Sequence, residues 1–245
     1  MESYIRQYYD VLDKEFCKTL IEKFNECEGN QLSTLPKEGR QFTEIALMEN
    51  MSVFEDEFDA CLNSFQNVIE KYKKDLDIRS INSEYSESRS TLWPEKNGME
   101  GIKIKRYLDN DADMFDWHVD VNDGQSNARF LAFFVYLDDN EAGSTEFADK
   151  EIDCVAGSAL VFPPMWPWLH RGNKPIKKPK YLLQSYLHYM KPETLGEPSQ
   201  WEVETVHRFW GSNRKREAID RVHDLHKKFP NSEQVNRLME MTGEG

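Results

Sequence analysis

The chain has 245 residues, with 44 acidic against 31 basic side chains and a formal net charge of −13. Nucleic-acid affinity rests largely on counterion release by Lys and Arg, so this balance argues against a broad phosphate-binding surface and would tolerate basic or neutral substrates, including a Lys-rich or Arg-rich peptide. No apolar run reaches the length needed to cross a membrane, residues 1–7 lack a secretory leader pattern, and Cys17, Cys27, Cys61 and Cys154 show no paired-motif spacing; together these predict reduced thiols and a cytoplasmic location.

In chain order, residues 4–11 read as an opening strand and Lys14–Glu26 as an amphipathic helix, with Phe16, Leu20, Ile21 and Phe24 on one side and Asp13 as its N-cap. Residues 29–39 read as a loop and 43–48 as a strand. A long helix is predicted over 53–76, where Phe54, Phe58, Cys61, Leu62, Phe65, Val68, Ile69 and Tyr72 form a stripe suited to packing on a sheet. Residues 80–98, rich in Ser, Glu and Asn, read as a loop able to cover a site. Short strand signals follow at 101–107, 115–121, 128–137, 144–147, 152–155, 159–162 and 180–189, separated by turn residues, and predict two packed sheets in a jelly roll. After Pro192 the composition shifts to charged helical patterns at 200–210, 215–229 and 232–241, with Ser232 as a candidate cap. The expected class is therefore α+β, mainly β, with supporting helices over 1–98, a core over 99–192 and a C-terminal helical extension over 193–245.

The chemistry concentrates in Asp116-Trp117-His118-Val119-Asp120. In an extended strand, residues i and i+2 point the same way, so His118 and Asp120 can grip one ion while Val119 packs behind. His170 follows an apolar run at 160–162 and the loop 163–169, which places it on a separate strand or at its mouth. Two imidazoles and one carboxylate can cover one face of an octahedral iron and leave the other open, and the lack of a nearby cysteine points away from a closed structural zinc site.

With these residues the stretch 103–189 resembles the Fe(II)- and 2-oxoglutarate-dependent dioxygenases, in particular their prolyl 4-hydroxylase-like branch. The matching features, in order, are Tyr107, His118 and Asp120, Arg129 leading to Tyr136-Leu137, Ala142-Gly143-Ser144-Thr145-Glu146-Phe147, Gly157-Ser158-Ala159-Leu160-Val161-Phe162, His170 and Lys180-Tyr181. The resemblance implies a double-stranded β-helix in which His118, Asp120 and His170 hold Fe(II). It implies that Lys180, with hydroxyls from Tyr107 and Thr145, anchors the distal carboxylate of 2-oxoglutarate, and that Arg129 and His188 approach a substrate proline. O2 is the second co-substrate, and ascorbate is a further requirement that the resemblance allows. Three positions depart from the pattern: Ala142 replaces the first glycine of a pair, Tyr186 stands where a tryptophan is usual, and Ala132 where a threonine is expected. Tyr186 and Ala132 would lie near the co-substrate or substrate wall, so they bear on substrate.

Other signals have simpler readings. Asp109, Asp111 and Asp113 imitate the start of a calcium loop, but Met114 occupies the position that needs glycine and Asp120 the one that needs glutamate, leaving a solvated acidic turn. His207, His223 and His226 read as hydrogen-bonded core histidines rather than ligands. Trp166 and Trp168 fit either packing under a rim or a substrate wall. The leading functional expectation is hydroxylation of a prolyl residue in a peptide or protein, with succinate and CO2 as co-products. A hydroxylase of a free amino acid or small metabolite and a non-catalytic sensor of the same fold are the alternatives, and the sequence sets no oligomeric state.

Overall fold

The computed structural model describes residues 4–34, 39–76, 93–94, 96–110, 112–124, 126–190, 196–198, 200–211 and 214–243. Most of the covering loop expected over 80–98, together with Asp111, part of the loop at 29–39 and the boundary at Pro192, lies outside the described residues. The chain divides into two compact units, Met1–His188 and Tyr189–Gly245.

The first unit opens with strand β1 (Arg6–Tyr8), shorter than the expected 4–11. Helix α1 (Lys14–Glu26) begins where Asp13 Oδ1 accepts from the amides of Glu15 at 2.8 Å and Phe16 at 3.4 Å, so two N–H groups that no helical carbonyl can reach are satisfied. β2 (Leu32–Ser33), β3 (Arg40–Gln41) and β4 (Thr43–Ala46) precede helix α2 (Met51–Asp75), whose apolar stripe is buried at Phe54, Cys61, Phe65, Val68, Ile69 and Tyr72. The remaining strands are β5 (Asn97–Met99), β6 (Lys103–Tyr107), β7 (Met114–His118), β8 (Arg129–Tyr136), β9 (Asn140–Phe147), β10 (Glu151–Cys154), β11 (Ala159–Phe162), β12 (His170–Gly172) and β13 (Lys180–Tyr189).

They form two antiparallel sheets. The larger runs β1-β11-β8-β13-β6-β4-β2 with β5 added on β13, and the smaller runs β10-β9-β12-β7-β3. The larger sheet is buried on both faces, which explains why β8 reads Arg-Phe-Leu-Ala-Phe-Phe-Val-Tyr with almost no polar alternation. Leu131, Phe133 and Val135 pack with α1 and α2, while Ala132, Phe134 and Tyr136 turn into the space between the sheets. β11 divides in the same way, Ala159 and Val161 to the helices and Leu160 and Phe162 inward. Gly157 joins this core to the N-terminal segment. Its φ is +76° and a Cβ would meet the Leu12 carbonyl oxygen at 2.3 Å, so no other residue fits that contact.

Two differences from the sequence reading matter for the site. The strand expected over 115–121 ends at His118, so Asp120 sits in the bend just beyond it and not on the strand. The backbone there turns because the Asp120 and Val121 amides both donate to the Pro164 carbonyl, at 2.9 and 3.2 Å. β9 starts at Asn140, four residues earlier than expected, because the Asn140 side chain accepts from the amides of Ala142 and Gly143 and so replaces a solvated turn by a braced strand start.

The second unit holds helices α3 (Gln200–Gly211), α4 (Lys215–Lys228) and α5 (Glu233–Thr242), packed around Val206, Ala218, Val222, Leu225, Val235 and Leu238. Ser232 caps α5 by accepting from the Val235 amide at 3.1 Å.

Phe65 of α2 is fully buried and meets Phe133 edge to face with ring centroids 4.6 Å apart. Phe65→Ala is expected to lower unfolding free energy by about 3–5 kcal/mol in a denaturant titration, because it removes both the transferred ring and the helix-to-sheet contact.

Candidate active site

His118 ends β7, and His170 begins β12 directly opposite it, a register that brings the two rings to a centroid separation of 4.3 Å. With Asp120 they offer ligand atoms that all lie within 4.8 Å of one another. His118 Nε2 is 3.5 Å from Asp120 Oδ1, and His170 Nε2 is 3.5 Å from Oδ2. On the far side of each ring, Nδ1 faces a backbone carbonyl: Asp116 at 2.6 Å for His118, and Trp168 at 3.1 Å for His170. A carbonyl oxygen only accepts, so Nδ1 carries the proton in both rings and each Nε2 presents its lone pair inward. Phe115 stacks on the His118 ring at 3.4 Å and 8°, and Phe162 meets His170 edge-on at 4.7 Å, which fixes both ring planes.

The donor set fits a cation. Asp120 Oδ2 is buried with no hydrogen-bond partner among the described residues, a costly state for a carboxylate oxygen unless a positive ion completes it. Burial pushes the Asp120 carboxyl up, but His118, His170 and Lys105 outweigh that and hold it at about 2. Burial pushes His170 down to about 4, so at neutral pH its imidazole is uncharged and able to ligate. The other oxygen, Oδ1, accepts from the Tyr186 hydroxyl at 2.9 Å, and that hydroxyl in turn accepts from Gln184 Nε2 at 2.5 Å. Tyr186, a departure from the expected tryptophan, therefore orients a ligand carboxylate.

Two cavities meet at His118 and Asp120. The inner one, of about 30 Å³, is lined by Tyr107, Phe134, Thr145, His170, Lys180 and Leu182 among others. Lys180 is 2% exposed, burial holds its ammonium below the ordinary lysine range, and no carboxylate among the described residues pairs with it. Its ammonium lies 5.4 Å from the Tyr136 ring and 5.9 Å from the Tyr107 ring. Gly143 makes room for this side chain, since a Cβ there would stand 3.0 Å from Lys180 Cδ. The Thr145 hydroxyl lies 2.7 Å from that of Tyr136, a buried group that sequence reasoning missed because its tyrosine looked like the end of an apolar strand.

The outer cavity, about 280 Å³, is polar, and its lining includes Arg40, Glu44, Glu100, Lys103, Asn122, Arg129 and Tyr186. Arg129 is held by Glu100 through two bonds, Nε to Oε1 at 2.5 Å and an Nη to Oε2 at 2.8 Å, and its guanidinium lies 4.0 Å from the Tyr186 ring centroid. Lys105 and Gln184 line both cavities. The structure does not bring His188 to either cavity lining. It sits opposite Arg129 at the outer end of β13, with its ring against Gly98. Trp166 and Trp168 also stay out of the lining: Trp166 is 82% exposed, and Trp168 packs edge-on against Tyr4 at 6.1 Å.

Residues 102–188 match the profile of the 2OG-Fe(II) oxygenase superfamily. That stretch is a 2OG-Fe(II) oxygenase domain. The enzyme is thus a dioxygenase, with Fe(II) as its metal and 2-oxoglutarate and O2 as co-substrates. Three solved structures share the fold of the oxygenase. A viral collagen prolyl hydroxylase from Paramecium Bursaria Chlorella virus-1 is 16% identical, with 77% of this chain and 97% of that one covered at a TM-score of 0.50. A Pseudomonas putida prolyl-4-hydroxylase is 15% identical, covering 76% and 93% at 0.52. A Trichoplax adhaerens prolyl hydroxylase, in complex with a hypoxia inducible factor peptide fragment, is 11% identical, covering 76% and 84% at 0.54. No curated protein matches the sequence of the oxygenase. Among the described residues, no helix is long and apolar enough to cross a membrane.

Lys105 is a second buried cation of the oxygenase site, and unlike Lys180 it went unnoticed in the sequence, since a lysine inside Lys-Ile-Lys-Arg-Tyr reads as surface charge. Burial pushes it down to about 8, against the upward pull of Glu44 and Asp120. Below that pH both folded and unfolded chains carry the proton and the burial penalty is complete. Between about 8 and the unfolded value near 10.4 only the folded chain sheds it, so the parent gains stability as pH rises. Lys105→Met is accordingly expected to stabilise the metal-free protein by roughly 1–3 kcal/mol at pH 7, an advantage that shrinks from pH 8 to pH 10 in paired thermal or urea unfolding.

Proposed function

We propose that the chain hydroxylates a C–H bond of a prolyl residue in a peptide or protein, with 2-oxoglutarate converted to succinate and CO2. The observation that carries this is the pairing of the His118, Asp120 and His170 cluster with Lys180, a buried ammonium with no carboxylate partner among the described residues, in the adjoining inner cavity. The prolyl assignment is supported by the three neighbours, all prolyl hydroxylases by name, one of them holding a peptide.

Each residue has a defined task in this reading. His118, Asp120 and His170 hold Fe(II), and Tyr186 keeps the carboxylate of Asp120 turned toward it. Iron, when bound, supplies the oxidative decarboxylation of 2-oxoglutarate and the oxygen insertion. Lys180 takes the distal carboxylate as a charge-assisted pair away from bulk water, with Tyr107 and Thr145 as hydroxyl partners. Phe134 and Leu182 exclude water from the inner cavity. Arg129, clamped by Glu100, gives the outer cavity a fixed wall for the substrate, and His188 stands behind it at the rim. A hydroxylase of a free amino acid or small metabolite remains the second reading, favoured by the polar and charged lining of the outer cavity.

Purified protein given Fe(II), 2-oxoglutarate and oxygen is expected to form succinate, faster with a pool of proline-containing peptides; absence of succinate under all conditions rejects the reading, and no peptide stimulation rejects the prolyl substrate. His118→Ala should abolish turnover. Lys180→Ala should raise the 2-oxoglutarate concentration for half-maximal rate by about 10- to 100-fold, the size of a lost charged hydrogen bond, and parent-like behaviour would remove Lys180 from the co-substrate site.

A further inference from the structure

The triad and Lys180 leave two cations at the cavities without a task. Lys105 is 8% exposed and lines both cavities. Among the described residues no carboxylate lies within ion-pair distance of it; its ammonium stands 4.4 Å from the centre of the Phe42 ring. Arg40 lines the outer cavity, also without an ion pair among the described residues, and its guanidinium lies 5.3 Å from Phe42 and 5.2 Å from Phe115. The two cations share one aromatic ring, that of the buried Phe42.

The acids of the outer cavity are Glu44, Glu100, Asp120 and Asp123, and each is engaged elsewhere, Asp123 by accepting from the Ser126 amide and hydroxyl. Glu44 stands directly across from Lys105 in the β4–β6 register, yet it bonds Lys103 at 2.6 Å. Glu100 holds Arg129. Asp120 faces the two imidazoles and Tyr186. Burying an ammonium without a counter-ion is costly, and an apolar residue would fit the wall beside Phe42 at less cost. An anion arriving with a ligand would supply the missing charge, with Arg40 available for a bidentate carboxylate contact.

We propose that Lys105 and Arg40 form an anion subsite for the primary substrate, which therefore presents a carboxylate, as a free amino acid or as the acid of a peptide. This rests on the hydroxylase reading of the site. It also departs from the expectation from net charge, under which basic or neutral substrates are the ones tolerated. Arg40, which lines only the outer cavity, sets this subsite apart from the 2-oxoglutarate anchor at Lys180, which lines only the inner, with Lys105 at their junction.

The test uses full-length protein loaded with Zn(II), which does not support turnover, and saturating 2-oxoglutarate. Ligand-detected NMR then compares matched pools: free L-amino acids against their carboxamides, and N-acetylated proline-containing tripeptides with free against amidated C-termini. Acid members should bind at least about ten-fold more tightly than their amides, the scale of one charged hydrogen bond. Lys105→Met and Arg40→Gln should each bring that ratio towards one, Lys105→Arg should preserve it, and the responding pool tells amino acid from peptide. Equal binding of acids and amides, a ratio that survives both substitutions, or no binding by either acid pool overturns the proposal. So does a Lys105→Met protein whose 2-oxoglutarate affinity falls while the ratio stays, which would assign Lys105 to the co-substrate. Succinate formation by the Fe(II)-loaded parent is scored separately: its absence removes the hydroxylase reading, whereas the acid-to-amide ratio alone judges the subsite.

Discussion

The pairing of β12 on β7 is the constraint on which the site depends. β12 has only three residues, yet it is bonded on both sides, with His170 opposite His118 on one neighbour and opposite Phe147 on the other. In a sheet whose side chains alternate, a slip of one residue would turn His170 away from the space between the sheets and break the ligand set. The aromatic rings of Phe115, Phe147 and Phe162 hold that register against rotation of the imidazoles, so the apolar core and the polar site are parts of one packing solution.

Around this frame the charges fall into two groups. At the outer cavity, Lys103 is matched by Glu44 and Arg129 by Glu100, pairs that the fold completes by itself. Deeper in, Lys180, Lys105 and Asp120 Oδ2 are left for something else to complete. Stability alone gives no reason for such a distribution, because removing water from a charge is expensive unless a partner replaces it. Ligands that bring a metal cation and carboxylates would restore the balance, so that on the reading proposed above the interior selects them by charge as well as by shape. The net charge of the whole chain describes its long-range field and is silent about this local inversion.

Much of the fold was legible in the sequence. The limits of α1, its Asp13 cap, β11 and β13 follow from local patterns, since periodicity and capping depend on neighbours only a few residues apart. The ligand triad was legible too, through ordered spacing over a long stretch. What escaped is what depends on distant partners. The bend at Asp120 is imposed by the Pro164 carbonyl, 44 residues away in sequence, and no pattern within residues 115–121 signals it. β12 is too short for periodicity to reveal. Lys105 looks like any charged strand residue until β4 covers it, and the Tyr186 phenol gains its meaning only from Asp120, 66 residues earlier. Arg129 was read as reaching toward substrate, but its clamp by Glu100 comes from a segment with no motif.

The two amides that Asp120 and Val121 place on the Pro164 carbonyl have a consequence for how the protein handles metal. They fasten the loop that leads to His170 through contacts that need no ion, and the two imidazoles are oriented by carbonyls on their outer nitrogens. Little chain entropy is then left to be lost on capture, in contrast to small zinc modules whose folding waits for the ion. On that footing a chelator is expected to remove iron and leave the fold standing, so that metal supply would set the working fraction of this protein rather than its survival.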